Sequence, residues 1–164
     1  MFFFPHLIET IKSPVNGVIK VYKSWDGYSL SVDNLTQSGS VVKSIWAQAL
    51  KIIQPSALSI KQCLVLGLGG GSAVKLINTK WPQAHITAVD IDPVMIKLAK
   101  KYFNLDVVPH LKIINSDAFT FVARSLPRKK TLRGYDLAII DLYIGRTLPA
   151  KVQSQPFVTH IKKL

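Results

Sequence analysis

The sequence predicts an α/β fold: a doubly wound, mostly parallel Rossmann-like sheet preceded by a small N-terminal β-hairpin region. Three observations carry that expectation. "LVLGLGGGSAVKL", Leu64 to Leu76, runs an aliphatic strand into four glycines within five positions (Gly67, Gly69, Gly70, Gly71) and then into helix-forming sequence. Such spacing suits a tight turn or a close approach to the backbone. From Cys63 onward, strand-like and helix-like stretches alternate at the interval expected of βαβ units. Carboxylates recur where successive strands should end, at Asp90, Asp117 and Asp141.

The elements follow in chain order. "GVIKVYK" and "YSLSVD" flank "SWDG", and an Asp-Gly pair between β-rich runs predicts a hairpin. A helix is expected over 41–53, where Val42, Ile45, Trp46, Ala49 and Ile53 share one face and Gln54-Pro55-Ser56 ends the run. "CLVLGL" reads as a buried strand, followed by a helix from about Gly71 to Thr79, and "HITAVD" as a second strand. Asp92-Pro93 opens the next helix with an N-cap and a proline in the first turn, and Val94, Met95, Leu98, Ala99 and Tyr102 form its apolar face. "LKIIN" is a third strand, 117–126 a helix stopped by Pro127, and "YDLAIID" a fourth strand. The expected division is a hairpin region over 1–40 and a nucleoside-binding Rossmann-like domain over 41–164. The 23 residues from Leu142 to Leu164 leave room for a loop and one helix. They are too few for the remaining strands of a doubly wound sheet, so its C-terminal strands are expected to be missing.

Bulk composition narrows the function classes. With 48% hydrophobic and 18% charged residues, the 164-residue chain can bury a core and is not of disordered type. No window reaches the ~18 apolar residues of a membrane span. The opening "MFFFPHLIETIK" is interrupted by Pro5 and lacks a basic leader, so no secretory signal is expected. A single cysteine, Cys63, excludes an internal disulfide and suits a cytoplasmic setting. His6, His85, His110 and His160 show no ligand spacing, and no metal site is expected. The formal charge of +12 would attract anions, RNA included, and "ARSLPRKKTLR" concentrates Arg124, Arg128, Lys129, Lys130 and Arg133. No aromatic residue interleaves those cations, so a solvated basic loop is favoured there over a nucleic-acid surface.

The glycine loop limits the ligand. A phosphate-binding P-loop needs Lys and Ser/Thr after its last glycine, but Gly71 is followed by Ser72-Ala73-Val74. The dinucleotide pattern G-x-G-x-x-G is met at Gly67 and Gly69 but has Ser72 in third place. Asp90, followed by Ile91, lies where a carboxylate can accept both hydroxyls of a ribose, a feature common to nicotinamide and adenosyl-sulfonium enzymes. Asp117, followed by Ala118, adds an acceptor for an adenine amino group, although it also suits a plain helix N-cap. Together the loop and two acids describe a nucleoside pocket with no demanding phosphate site.

These segments resemble the spermidine synthase-like aminopropyltransferases, which share the class I methyltransferase fold. "GGGSA" is similar to that family's G-G-G-D-G, "VDIDPVMIKLAKKYF" to its second strand and helix, and "NSDAFTFV" to its adenine-contacting G-D-[GA]. "IIDLYIG" falls at its D-[SC]-[ST]-D, and the hairpin region with "LTQSG" resembles its N-terminal β part. The resemblance implies that Asp90 holds ribose, Asp117 adenine, and Gln37 or Gln48 lines the pocket. It places Asp141 at the general base and implies a homodimer; Tyr143, two residues further on, is a candidate positioning group.

The departures redirect the chemistry. Ser72 replaces the acid that faces the ammonium of decarboxylated S-adenosylmethionine, Ile144 replaces the second acid of D-x-x-D, and no acid lies between Asp33 and Asp90. A diamine sheds its hydration only against several carboxylates, and this chain has nine acids in all. S-adenosylmethionine keeps a carboxylate that Ser72 at a helix N-terminus would tolerate. The expectation is therefore an adenosyl-sulfonium-dependent transferase, using S-adenosylmethionine or its decarboxylated form, with methyl transfer slightly favoured over aminopropyl transfer. The alternatives are a non-catalytic relative with a binding or oligomerisation role, and an RNA-directed methyltransferase-like protein.

Overall fold

A computed structural model describes residues 4–53, 60–125 and 134–164. The expected helix stops at Gln54-Pro55-Ser56 and Pro127, and the basic residues Arg128, Lys129, Lys130 and Arg133, lie outside the described residues. The first sheet is an antiparallel meander of β1 (His6–Ser13), β2 (Gly17–Ser24), β3 (Gly27–Val32) and the short β4 (Leu35–Thr36). Helix α1 (Ser40–Lys51) then leads into β5 (Gln62–Leu66), α2 (Ser72–Lys80), β6 (His85–Asp90), α3 (Pro93–Phe103), β7 (Leu111–Asn115), α4 (Ala118–Ser125) and β8 (Leu137–Ile140). A loop and α5 (Gln155–Ile161) follow, as expected.

The second sheet is parallel, in the order β7-β6-β5-β8. Strand order reverses beside β5, since β6 and β7 lie on one side of it and β8 on the other. Alternate residues of β5 serve two cores. Cys63 and Val65 face the layer of α2 and α3, with Val74, Ile77, Leu98 and Ala99. Leu64 and Leu66 face α4 and α5, with Val122 and Phe157. This double burial explains why the strand reads as an unbroken apolar run. The first core also takes in Ile19, Val21, Leu30 and Val32 from the antiparallel sheet.

Local chemistry sets the element ends. Asp92 caps α3, its Oδ1 accepting the Val94 N–H at 2.8 Å with Pro93 in the first turn. Asn104, in the left-handed conformation, ends that helix. Ser24 pairs with Gly27, so the hairpin turn is Trp25-Asp26, with Gly27 already paired, one position earlier than the Asp-Gly pair predicts. Strand β1 is an addition to the expected elements: its sequence is apolar at the start, and the register shift between Leu7 and Glu9 breaks its alternation. Helix α1 is also rotated from the expected face. Leu50 is buried, with Trp46 and Ile53 packed on the core, while Ile45 is 59% exposed. No helix among the described residues is long and apolar enough to cross a membrane.

Candidate functional site

In parallel sheets, ligand crevices form beyond the carboxyl ends of strands, where the strand order reverses. Here a cleft opens at that point, between the loop after β5 and the end of β8. Gly67, Gly69, Asp90, Ile91, Asp117, Ala118, Asp141, Tyr143 and Gln37, all expected site residues, line it together. The two acids expected for ribose and adenine thus face one space. Gln48 does not join them: it is exposed on α1, so of the two glutamines only Gln37 reaches the cleft.

Each carboxylate is held differently. Asp90 ends β6, its Oδ2 accepting the Leu68 N–H at 2.8 Å and its Oδ1 the Asp92 N–H at 2.9 Å. Burial pushes its carboxyl up, partly offset by those backbone N–H groups. A carboxylate offers about four acceptor positions, so two bonds to backbone leave capacity for a ribose. Asp117 precedes α4 and accepts both the N–H and the hydroxyl of Thr120 at Oδ1, each at 2.8 Å. It is therefore a helix cap and a cleft wall at once. Asp141 follows β8, and the Trp46 Nε1–H donates to its Oδ2 at 3.2 Å. Burial raises its carboxyl above the ordinary aspartate range.

That last shift fixes the sign of a pH effect. The folded carboxyl binds its proton more tightly than the unfolded one, so stability falls as pH rises from the ordinary aspartate value, about 4, through the raised one. Asp141→Asn removes the buried charge and keeps an acceptor for Trp46. We expect it to melt at or above the parent temperature at pH 7, with the two curves converging as pH drops to 4. Thermal melts across that range test this, and a variant less stable at pH 7 but not at pH 4 would contradict it.

The glycines divide by task. Gly67 (φ +90°) lies so close to the Asp141 carbonyl that a Cβ would overlap it. A Cβ on Gly70 would overlap Ser38, and one on Gly71 would overlap Leu105. Gly70 and Gly71 are absent from the main cleft, where a ligand contact is expected from the sequence; packing against neighbouring elements accounts for their lack of side chains. Ser72 is also outside the main lining. It lines a smaller adjoining cavity with Gln37, Gly67 and Asp141, which themselves border the cleft.

Sequence reasoning misses Asn16, Trp46, Met95 and Phe119. Asn16 lies in the β1–β2 turn, its Nδ2 donating to Asp92 Oδ2 at 2.6 Å while Ser13 Oγ donates to the same oxygen at 2.5 Å. Asp92 is fully buried and satisfied by these donors and its own cap bond. Asn16 Oδ1 also accepts the Gly145 N–H at 3.2 Å, and Gln37 Nε2 donates to the Gly145 carbonyl at 3.1 Å. The antiparallel sheet thereby clamps both sides of Gly145, next to Tyr143 and Ile144 on the cleft wall. The dipeptide Asn16-Gly17 is the available turn signal, legible once β1 is recognised. Among the described residues no group of three or more His, Cys, Asp or Glu could hold a metal ion.

Comparison with known proteins gives this cleft a context. A polyamine aminopropyltransferase of Vibrio vulnificus (strain CMCP6) is 28% identical over 106 residues, 63% of this chain and 34% of that protein. A spermidine synthase solved in complex with the transition state analogue AdoDATO superposes at a TM-score of 0.74 with 17% identity, covering 96% of this chain and 54% of that one. Human methyltransferase-like protein 13, solved in complex with SAH, gives 0.62 with 26% identity over 77% of this chain and 60% of that one. The chain spans less than half the length of the curated relatives it matches. The spermine/spermidine synthase domain model matches residues 50–164, and the chain belongs to that family.

Proposed function

We propose that the chain binds S-adenosylmethionine in this cleft and serves a transferase reaction, with methyl transfer preferred over aminopropyl transfer. The observation that carries the reading is the convergence of Asp90, Asp117 and Asp141 on one crevice at the strand ends. Asp90 accepts the ribose hydroxyls, and the Oδ2 of Asp117 accepts the adenine amino group. The solved relatives in complex with AdoDATO and SAH support an adenosyl ligand in this fold. In the transfer, the acceptor's nitrogen or oxygen forms a bond to the methyl carbon while the carbon–sulfur bond breaks, and the sulfide leaves with the electron pair. Alignment of the two reactants supplies most of the acceleration. Asp141, with its raised carboxyl, takes the acceptor's proton, and Tyr143 on the same wall positions it.

The preference for the intact sulfonium amino acid rests on the tail end of the site. Ser72 is the first residue of α2, whose first turn contains no acid, so nothing there repels the ligand's carboxylate. Calorimetry with S-adenosylmethionine, its decarboxylated form and S-adenosylhomocysteine tests the reading. Binding of none of the three would remove it, and tighter binding of the decarboxylated form would reverse the preference. Ser72→Asp should shift the ratio of the two sulfonium affinities toward the cationic ligand by about tenfold, the effect of ~1.4 kcal/mol. The fold should tolerate it, because an acid suits a helix N-terminus. An unchanged ratio would show that position 72 does not select.

A further inference from the structure

A second concavity, larger than the first, lies on the opposite side of the glycine loop. It encloses about 610 Å³ between the β2–β3 turn, the starts of α1 and α2, and the end of α3. Its lining is mixed: Lys43 and Lys75 with Ser72 and Thr79, an aromatic wall of Tyr28, Tyr102 and Phe103, and the carboxylate of Asp26. Asp26 is held charged by the hydroxyls of Ser24 and Ser40, which keep its carboxyl below the ordinary range. Among the described residues neither lysine forms an ion pair, whereas Lys101 pairs with Glu9. Burial, and secondarily the charge of Lys43, lowers the proton affinity of Lys75. Two neighbouring cations that form no ion pair among the described residues create a position that an anion would relieve.

Size and shape restrict that anion. A simple phosphate would leave most of the groove empty, whereas small organic ligands occupy sites of roughly 300–1,000 Å³. A phosphate at the lysines leaves a planar ring to lie along the aromatic wall, with the Asp26 carboxylate able to accept from an amino substituent. We propose that this groove binds a nucleotide, phosphate toward Lys43 and Lys75 and base toward Tyr28 and Tyr102, either free or as one unit of a single-stranded RNA. The overall charge of +12 supplies the long-range attraction for either source. The groove shares no lining residue with the adenosyl cleft itself and meets the small cavity beside it at Gly70 and Ser72; the proposal stands whether or not that cleft binds its ligand.

Cytidine 5′-monophosphate, an oligocytidine decamer and unphosphorylated cytidine are suitable probes, since a pyrimidine lacks the adenine of the adenosyl ligand. Titrations at two salt concentrations should show binding of a phosphorylated probe and at least tenfold weaker binding of cytidine. The double variant Lys43→Ala/Lys75→Ala, which introduces no acid beside Ser72, should lose about tenfold or more. For the decamer, the salt slope should become shallower by about 0.7 for every phosphate that the variant no longer neutralises. S-adenosylhomocysteine affinity and circular dichroism should stay unchanged, which separates this site from the cleft and from misfolding. Equal affinity for mononucleotide and decamer identifies a free nucleotide as the source, and decamer binding alone identifies RNA. Absence of binding to both phosphorylated probes, or equal binding by the parent and the double variant, overturns the proposal.

Discussion

Gly67→Ala should cost about 3 kcal/mol or more of folding stability, the largest effect of any single methyl addition in the glycine loop. Two penalties combine. The backbone there has φ +90°, which strains any residue with a Cβ, and the added carbon would overlap the Asp141 carbonyl, a main-chain atom with no rotamer to change. Gly67 also donates its N–H to the Val89 carbonyl at 2.9 Å, and Asp141 donates to the Leu66 carbonyl at 2.7 Å. Relief by backbone movement would therefore loosen β5 from both neighbours. Chemical denaturation of parent and variant measures the loss. A variant within about 1 kcal/mol of the parent, the size of an ordinary single substitution, would mean that the end of β8 is not held against the loop.

Asp90→Ala should lose S-adenosylhomocysteine binding by about 100-fold or more and destabilise the apo-protein as well. The ligand effect arises because the ribose hydroxyls would enter a site without their acceptor, and polar mismatches of that kind are strongly penalised. The stability effect arises because the Leu68 and Asp92 N–H groups lose their shared acceptor. A part-buried donor left unpaired costs about 1–3 kcal/mol. Asp90→Asn separates the two roles, since its amide keeps one carbonyl acceptor. It should recover part of the stability but little of the affinity. Calorimetry beside thermal melts reads both quantities, and unaltered affinity in Asp90→Ala would remove the ribose role.

Much of the parallel sheet is legible in the sequence, because β5 through β8 are short apolar runs bounded by distinct chemistry. Asp92-Pro93 is the clearest case: a cap and a first-turn proline specify a helix start locally, and the hydrogen bond to Val94 is present. The antiparallel sheet is only partly legible. The break at Leu7 and Glu9 in β1 disrupts the period-two pattern on which strand recognition depends. Ile45 is misplaced by spacing alone because several hydrophobic residues of α1 fit a single face, while packing against the core is met by Trp46, Leu50 and Ile53. The strand-end acids are legible as a set. The clamp at Gly145 is not, since Asn16 and Gln37 reach it across 129 and 108 positions of chain.

The first core draws Ile19, Val21, Leu30 and Val32 from one sheet and Cys63, Val65, Leu68 and Phe103 from the other layer into a single buried mass. Neither β-layer therefore owns its apolar interior. Stripping the N-terminal meander away would expose much of the hydrocarbon that keeps α2 and α3 seated, and would leave the Asp92 carboxylate without Ser13 and Asn16. The shared core makes the two layers candidates to unfold as one cooperative unit, with damage to the amino-terminal ribbon felt at the crevice beyond the strand ends through shared side chains.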